Sequence, residues 1–391
     1  MCGTPSGTGS RSRGWQFVRE GCILDRLSAL GVDTVASLPC DRTQEFCALI
    51  PERFRAIDLT REEDGVGICA GLTMAGKRPV LHMQSSGLGN SLNSIMSLTV
   101  TFGLPLPVLA SWRGVYREAI PAQVPFNRAV PEVLAALNIP YTVIRDPSDE
   151  ALIDTVIRDA YDAMRPHVAL ILPSFWEGTE EACLPERAFP PRARESALAY
   201  RRAFRDPVMT RNDAIRTIAE TLDGEAVVAN IGVPSKELYA ARDRDLNFYM
   251  LGSYTQATPI GLGLAVATDR DVVVLDGDGS LLGTAVLPVV AAEAPANLTI
   301  VCLDNGAFGS TGNQPTPASG LVDMELLARA AGIRRTCKVQ DERELERAWE
   351  DRGRGPTFIH VVLAPGNEPV GNIPLAPAEI RERFVRGLQR T

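Results

Sequence analysis

The feature of the sequence that most constrains its fold is an apolar, β-branched run at residues 271–275 (DVVVL), which breaks into DGDGS at residues 276–280. A short, continuously apolar run of this kind predicts a buried strand of a parallel sheet. Gly277 and Gly279 would let the backbone pass close to a ligand, and Asp278 between them offers a carboxylate. The next residues, LLGTAVLPVVAAE, predict a helix whose N-terminus favours anions. Together they predict a binding turn at one edge of an α/β sheet.

A second apolar run, LTIVCL at residues 298–303, ends in Asp304 and Asn305. Parallel strands bring their carboxyl ends to the same edge of a sheet, which is where open α/β sheets bind ligands. Mg²⁺ prefers a few carboxylate or amide oxygens together with phosphate oxygens, so the two turns predict a magnesium site that bridges to a diphosphate. A calcium loop is excluded because Leu281 and Leu287 replace its required Gly and Glu.

The composition is that of an ordinary globular protein. The chain has 391 residues, 45% hydrophobic and 23% charged, and is long enough for two domains. A formal net charge of -8 argues against a nucleic-acid-binding surface. The eight cysteines contain no CxxC pair, which indicates buried thiols. No apolar stretch reaches the roughly 20 residues of a membrane span, and the polar start has no signal-peptide pattern, so we expect a cytoplasmic protein without membrane partners.

Apolar strand-like runs alternate with helical patterns twice along the chain. This alternation predicts an α/β protein with two doubly wound parallel-sheet domains. We expect a disordered tail at residues 1–14, a first domain at 15–175, a linker rich in Pro, Arg and Glu at 176–207, and a second domain at 208–391.

Two glycine-containing motifs are excluded as nucleotide sites. GLTMAGKR at residues 71–78 nearly matches a phosphate-binding P-loop, but it ends in Arg78 and runs from helix to strand. GLGLAVA lacks the strand and the later acid of a dinucleotide site, so Gly261 and Gly263 predict close helix packing instead. The histidines, His82, His167 and His360, give little support to histidine catalysis, and His82 and His360 lie inside apolar strands as core residues do.

Two further stretches of the first half carry polar groups to strand ends. TREEDGVGICAG, residues 60–71, places three acids in a first helical turn, where they can simply complement the helix dipole. MQSSGLGNSLNS, residues 83–94, predicts a polar glycine loop, and Arg113 ends the adjoining strand. Arg113 offers a bidentate fork to a carboxylate, phosphonate or sulfonate, or it forms a surface salt bridge. The neutral partners of such an anion would be Ser86, Asn90 and Gln123.

These motifs, together with GDGSLL, DNGAFGSTGNQPT and PGNEPVGNIPLAPAEIRERF, resemble the small thiamine-diphosphate decarboxylases of 3-sulfopyruvate and 3-phosphonopyruvate. The resemblance spans about residues 20–388. It implies a pyrimidine-binding first domain fused to a diphosphate-binding second domain, without the middle domain of larger relatives. TREEDGVGICAG leans towards the sulfopyruvate type.

The resemblance also implies roles for individual residues. Glu62, with Glu63 as the alternative, would hydrogen-bond the aminopyrimidine ring of thiamine diphosphate. Tyr254 replaces the usual Met or aliphatic residue that bends the cofactor, and Phe308 replaces a frequent Tyr. Mg²⁺ would be held by Asp278, Asn305 and the carbonyl of Ala307. The other cofactor contacts would be Gly252, Ser253, Tyr254, Gly277, Gly279, Ser280, Phe308 and Gly309.

The activity that the resemblance implies is nonoxidative decarboxylation of a small anionic 2-oxo acid, giving sulfoacetaldehyde or phosphonoacetaldehyde. It further implies a homodimer or homotetramer with active sites shared between subunits. Two alternatives stay open: an acetolactate-synthase-like carboligase, and a noncatalytic module that binds an anion or nucleotide. Glu62 distinguishes an enzyme from the second alternative, because a protein that only binds a diphosphate needs no acid facing the pyrimidine.

Overall fold

The computed structural model describes residues 19–178, 184 and 203–390. Within them lie two six-stranded sheets, both wholly parallel, and one short antiparallel pair. The α/β prediction with two parallel-sheet domains is therefore confirmed. The predicted tail at 1–14 and most of the predicted linker at 176–207 lie outside the described residues.

The first sheet contains strands β1–β6 in the order β2-β1-β3-β4-β6-β5. Their bounds are Thr34–Ser37, Arg55–Asp58, Pro79–Gln84, Leu106–Ser111, Tyr141–Ile144 and Pro166–Ile171. Helices α1–α7 surround it, with bounds Arg19–Ala29, Gln44–Leu49, Glu62–Met74, Ser85–Ser94, Val124–Arg128, Val130–Ala136 and Leu152–Asp162.

The second sheet has the order β13-β14-β10-β9-β7-β8, and β11 pairs with β12 outside it. Strands β7–β14 span Ala226–Ala229, Asn247–Tyr249, Val272–Gly277, Leu298–Asp304, Ala307–Phe308, Gln314–Pro315, Arg335–Val339 and Thr357–Val362. Helices α8–α15 span Arg211–Thr221, Val233–Ala241, Ala257–Ala267, Asp278–Gly283, Val286–Glu293, Met324–Ala331, Glu342–Glu350 and Pro377–Gln389.

Alternate residues of the first sheet enter two different hydrophobic cores. Leu81 packs into a large core shared with the second sheet, whereas its neighbour Val80 packs into a smaller core beneath α1 and α7. This alternation follows from the two-residue period of a strand, and burial on both faces explains the continuous apolar runs in the sequence.

Helices α3 and α10 join the two halves through glycines. A Cβ atom added at Gly263 would lie 2.1 Å from the carbonyl oxygen of Ile68, and one added at Gly71 would lie 2.2 Å from that of Ile260. A Cβ at Gly261 would meet Val274 at 2.1 Å. The prediction that Gly261 and Gly263 permit close helix packing is therefore confirmed.

Two local predictions are wrong. The stretch predicted as a polar glycine loop folds into α4 and continues as a π-helix at Ile95–Val100. Its glycines are packing positions, since a Cβ at Gly87 would lie 2.5 Å from the side chain of Glu62 and one at Gly89 would lie 2.9 Å from Phe126. The single helix predicted after the GDG turn is two helices, α11 and α12, because Thr284 between them is extended and donates a hydrogen bond to Asp64 at 2.8 Å.

Candidate active site

The two predicted turns lie side by side at the carboxyl edge of the second sheet. Gly277 at the end of β9 is in register with Leu303 of β10, and α11 begins at Asp278. Asp278 and Asn305 are both buried and line one cavity of 160 Å³. The sequence-predicted cofactor residues that also line it are Tyr254, Gly277, Gly279, Ser280, Ala307, Phe308 and Gly309.

The donors around this cavity fit a divalent cation bridged to phosphate. Burial, together with the nearby Asp304 carboxylate, raises the pKa of Asp278 to about 6. The amide nitrogen of Asn305 is buried without a hydrogen-bond partner among the described residues. Those residues contain no cluster of three His, Cys, Asp or Glu side chains that could hold a metal alone. A cation here would need amide, carbonyl and phosphate oxygens, which is the ligand set that Mg²⁺ accepts.

A buried histidine holds the turn that carries Asn305. His360 is fully buried, and its Nε2 lies 2.7 Å from a carboxylate oxygen of Asp304. The other oxygen of Asp304 accepts the backbone N–H of Gly306 at 3.0 Å. Hydrogen bonds to Asp304 and Asp323 outweigh desolvation and raise the pKa of His360. His360 is thus a hydrogen-bonded core residue that orients the turn.

An arginine that the sequence prediction missed also lines the cavity. Arg211 is buried and forms a bidentate pair with Glu237, with nitrogen–oxygen distances of 2.8 and 3.1 Å. It also donates to the side chain of Asn367 at 2.8 Å. The only sequence signal was that Asn367 lies within the PGNEP motif, whose partner in space cannot be inferred from its position along the chain.

The backbone around Tyr254 is strained. Ser253 and Thr255 both have positive φ angles, 65° and 76°, which a β-branched residue such as Thr rarely adopts. The Tyr254 hydroxyl donates to the carbonyl of Gly279 at 2.5 Å, so the ring lies over the GDG turn. Gly252 and Ser253 do not line the cavity but contact Ser97, whose hydroxyl lies 2.7 Å from that of Ser253.

Glu62 is not among the residues that line this cavity. It begins α3, is half-buried, and accepts a hydrogen bond from the amide of Asn90 at 3.1 Å. Glu63, the alternative, is buried and already bonded to Ser94 at 2.8 Å and Arg61 at 3.1 Å. No described residue of the first domain lines this cavity, although Asp64 in the first turn of α3 accepts a hydrogen bond from Thr284 of the second domain at 2.8 Å.

The predicted anion-binding residues fall into two groups. Asn90 bonds Glu62, whereas Ser86, Gln123 and Arg113 are all joined by one residue that the prediction missed, Gln84. The amide of Gln84 contacts Ser86, donates to Gln123 at 3.1 Å and accepts from Arg113 at 3.1 Å. The side chains thus form one polar cluster at the carboxyl edge of the first sheet.

The guanidinium fork of Arg113 is occupied. Only 2% of Arg113 is exposed, so the guanidinium itself lies below the surface. Its Nε and Nη2 donate to the two carboxylate oxygens of Glu118 at 2.7 and 3.0 Å, and Nη1 donates to Asp41. The pair lowers the pKa of Glu118 to about 2. The sequence shows that Arg113 and Glu118 carry opposite charges five positions apart, but it does not show that they form a buried pair.

Both domains of the chain match the domains of thiamine-diphosphate enzymes. Residues 20–132 match the thiamine pyrophosphate enzyme N-terminal TPP binding domain, and residues 234–361 match the C-terminal TPP binding domain. The chain is 46% identical over 369 residues to sulfopyruvate decarboxylase of Methanosarcina acetivorans, covering 93% of this chain and 95% of that one.

It is also 34% identical over 379 residues to phosphonopyruvate decarboxylase of Streptomyces hygroscopicus, covering 93% of this chain and 92% of that one. The fold is similar to that of benzoylformate decarboxylase from Polynucleobacter necessarius, with a TM-score of 0.67 at 14% identity over 90% of this chain and 99% of that one. The chain belongs to the thiamine-diphosphate-dependent sulfopyruvate and phosphonopyruvate decarboxylase family.

Proposed function

We propose that the protein catalyses the Mg²⁺-dependent, nonoxidative decarboxylation of 3-sulfopyruvate or 3-phosphonopyruvate. The observation that carries the proposal is the likeness along almost the whole chain to a sulfopyruvate decarboxylase at 46% identity. Its identity to a phosphonopyruvate decarboxylase over a similar length is 34%, which favours the sulfonate.

The second domain would hold the cofactor and metal. Asp278, the side-chain oxygen of Asn305 and the carbonyl of Ala307 would bind Mg²⁺, with Gly279 and Ser280 beside the diphosphate. The buried carboxylate of Asp278 supports the metal assignment, and the unpartnered amide nitrogen of Asn305 could donate a hydrogen bond to a diphosphate oxygen. When bound, thiamine diphosphate supplies the carbanion nucleophile and the electron sink that decarboxylation requires.

Glu62 would hold or move the proton at the aminopyrimidine ring. Among the described residues only Asn90 donates a side-chain hydrogen bond to it, and it is half-buried, so one carboxylate oxygen can face a ligand. Glu63 is a weaker candidate because both its oxygens already accept hydrogen bonds. Proton transfer by a positioned carboxylate is an ordinary form of general acid–base catalysis.

Glu62 would act in a site completed by a second copy of the chain. No described first-domain residue lines the cavity that contains Asp278, which supports a site completed by the first domain of another subunit. We propose a homodimer, or a homotetramer built from such dimers. Closed symmetric assemblies of this kind are the common form of soluble oligomers.

The substrate's sulfonate or phosphonate would bind at the polar cluster of the first domain. Asp41 is 59% exposed at its side chain, so an incoming anion can displace it from Arg113 while Glu118 stays bound. Ser86 and Gln123 would contact the anion once Asp41 has left Nη1 of Arg113. Asn90 would contact the substrate from the side of Glu62, to which it is hydrogen-bonded.

We also propose a cytoplasmic location. The described cysteines Cys40, Cys47, Cys69 and Cys302 form no disulfide, as expected in a reducing compartment. In the described part of the chain, no helix has the length and apolar character needed to cross a membrane.

The test is CO₂ and aldehyde release by the purified protein with thiamine diphosphate and Mg²⁺, comparing 3-sulfopyruvate, 3-phosphonopyruvate and pyruvate. We expect turnover of an anionic substrate, at least about 100-fold less in Glu62→Gln because the proton relay is lost. Glu63→Gln is the matched control and should keep most of the activity. Cofactor binding without any CO₂ release would contradict the proposal and favour a noncatalytic module. Release of CO₂ that yields a coupled product in place of the aldehyde would favour carboligation.

A further inference from the structure

Three arginines surround a surface pocket of 630 Å³ in the second domain, called here the arginine pocket. Arg334, Arg335 and Arg354 line it, and its other walls are alanine, proline and glycine residues of α12, the end of α13 and the turn before β14. None of the described residues that line it carries a carboxylate, and Asp351 lines a neighbouring cavity that also includes Arg334 and Arg335. The pocket therefore presents cationic groups between small apolar walls.

The three guanidinium groups are unpaired within the described part of the chain. None of them makes a side-chain hydrogen bond or an ion pair there, whereas the buried Arg113 and Arg211 are each paired with a glutamate. The whole protein has a formal net charge of -8. Like charges gathered in one concave place of an acidic protein repel one another unless an anion binds between them.

A simpler role for these arginines would be to neutralise the ends of α12 and α13, which both finish at the pocket. Arg242 does this for α8, donating to the carbonyls of Ala219 and Leu222 at 2.9 and 2.7 Å. In contrast, none of the three pocket arginines donates to a described backbone carbonyl. Their N–H groups are therefore available to a ligand.

The arginine pocket is separate from the cofactor cavity. Arg335 is the first residue of β13, and Pro356 of the pocket directly precedes β14, so the pocket lies at the amino edge of the second sheet. The cofactor cavity lies at the carboxyl edge. A six-residue strand such as β14 places the two edges about 20 Å apart.

We propose that the arginine pocket binds a small phosphorylated anion, with a phosphate dianion held between the guanidinium groups. Arginine forks match the tetrahedral oxygens of phosphate and form charge-assisted hydrogen bonds. The small side chains of the walls leave room for a compact organic group attached to the phosphate. The volume of 630 Å³ lies within the usual range of about 300–1,000 Å³ for small-molecule sites.

The test is titration of inorganic phosphate into the holoenzyme, followed by calorimetry and ³¹P line broadening. The protein is saturated with thiamine diphosphate and Mg²⁺ so that its diphosphate site is filled, and sodium chloride keeps the ionic strength constant. We expect saturable phosphate binding at the arginine pocket, which the variant below separates from binding at the polar cluster of the first domain. The Arg334→Gln/Arg354→Gln variant should bind at least about tenfold more weakly, because two charge-assisted contacts are lost.

The control is Arg343→Gln/Arg386→Gln, which removes the same charge from exposed arginines outside the pocket. It should bind phosphate as the wild type does. Absence of saturable binding, or equal weakening in test and control variants, would overturn the proposal. If the test variant does not fold, Arg335→Gln provides the same comparison at a single position.

Discussion

At the scale of single residues, Arg113 and Glu118 show how two charged side chains can be buried. Each charge is stabilised by its ion pair with the other and by further hydrogen bonds. Both side chains are almost inaccessible, at 2% and 4% exposure, and Glu118 also accepts backbone N–H groups of Gly114 and Ile120. The glutamate thus fixes the position of the guanidinium at the strand end. Asp41, which is exposed, contributes a contact that can be exchanged.

We expect Glu118→Gln to lower the free energy of unfolding by about 3 kcal/mol, since it leaves the buried Arg113 without its main counter-charge. Urea denaturation measures this change. The control is Glu177→Gln, whose pairing with Arg117 is exposed and should be worth less than about 1 kcal/mol. Equal effects of the two variants would show that the Arg113 pair is not structurally important.

The same pair predicts a direction of pH dependence. The folded-state pKa of Glu118 is lowered to about 2 from an ordinary value of 4.5, so its contribution to stability is present above pH 4.5 and is lost as the pH falls towards 2. Between these values the wild type should lose stability more steeply than Glu118→Gln. Unfolding curves collected across this range check the sign.

At the scale of secondary-structure elements, the contact of α3 with α10 joins the domains because two glycines remove the side chains from the crossing. We expect Gly263→Ala to destabilise the protein by about 3 kcal/mol or more, because its methyl group would overlap a backbone carbonyl at 2.1 Å and the helices must separate. Gly371→Ala is the control: no atom of the described residues lies within 4 Å of the added Cβ, so stability should change by less than about 0.5 kcal/mol. Unfolding of Gly263→Ala with wild-type stability would contradict the packing argument.

The strands and the second-domain turns could be predicted from the sequence because the signals are local. A strand buried on both faces of a parallel sheet is apolar along most of its length. Asp278 directly follows β9, and Asn305 directly follows β10. Helix α4 was predicted as a loop because its sequence is rich in glycine and serine. In the structure, the absence of a side chain at Gly87 and Gly89 lets Glu62 and Phe126 pack against the helix.

Other parts of the site could not be predicted because they depend on contacts between distant residues. The break between α11 and α12 depends on Asp64, which lies more than two hundred positions earlier. The partners of Arg211 are separated along the chain by 26 and 156 positions. Nothing in local composition specifies such pairs, so the prediction found the turns but not the side chains that orient them.

At the scale of the whole molecule, the two halves of the proposed cofactor site belong to different domains of the chain. Glu62 lies beside Asn90 in the first domain, and Asp278 lines a cavity to which no described first-domain residue contributes. If two subunits share their sites, Glu62 of one chain serves Asp278 of the other. In a mixed dimer of two different variants, one substituted at Glu62 and the other at Asp278, one shared site then receives both substitutions and the other receives neither.

We therefore expect complementation between Glu62→Gln and Asp278→Asn. Each homodimer carries its defect in both sites and should be inactive. Random mixing by co-expression makes about half of the dimers mixed, each with one doubly defective and one intact site, so activity should recover to about a quarter of wild type. Differently tagged chains allow the mixed dimer to be purified and its CO₂ release to be measured directly. A site formed within one chain gives no recovery in any mixture, and this result would contradict the shared-site proposal while leaving the family assignment intact.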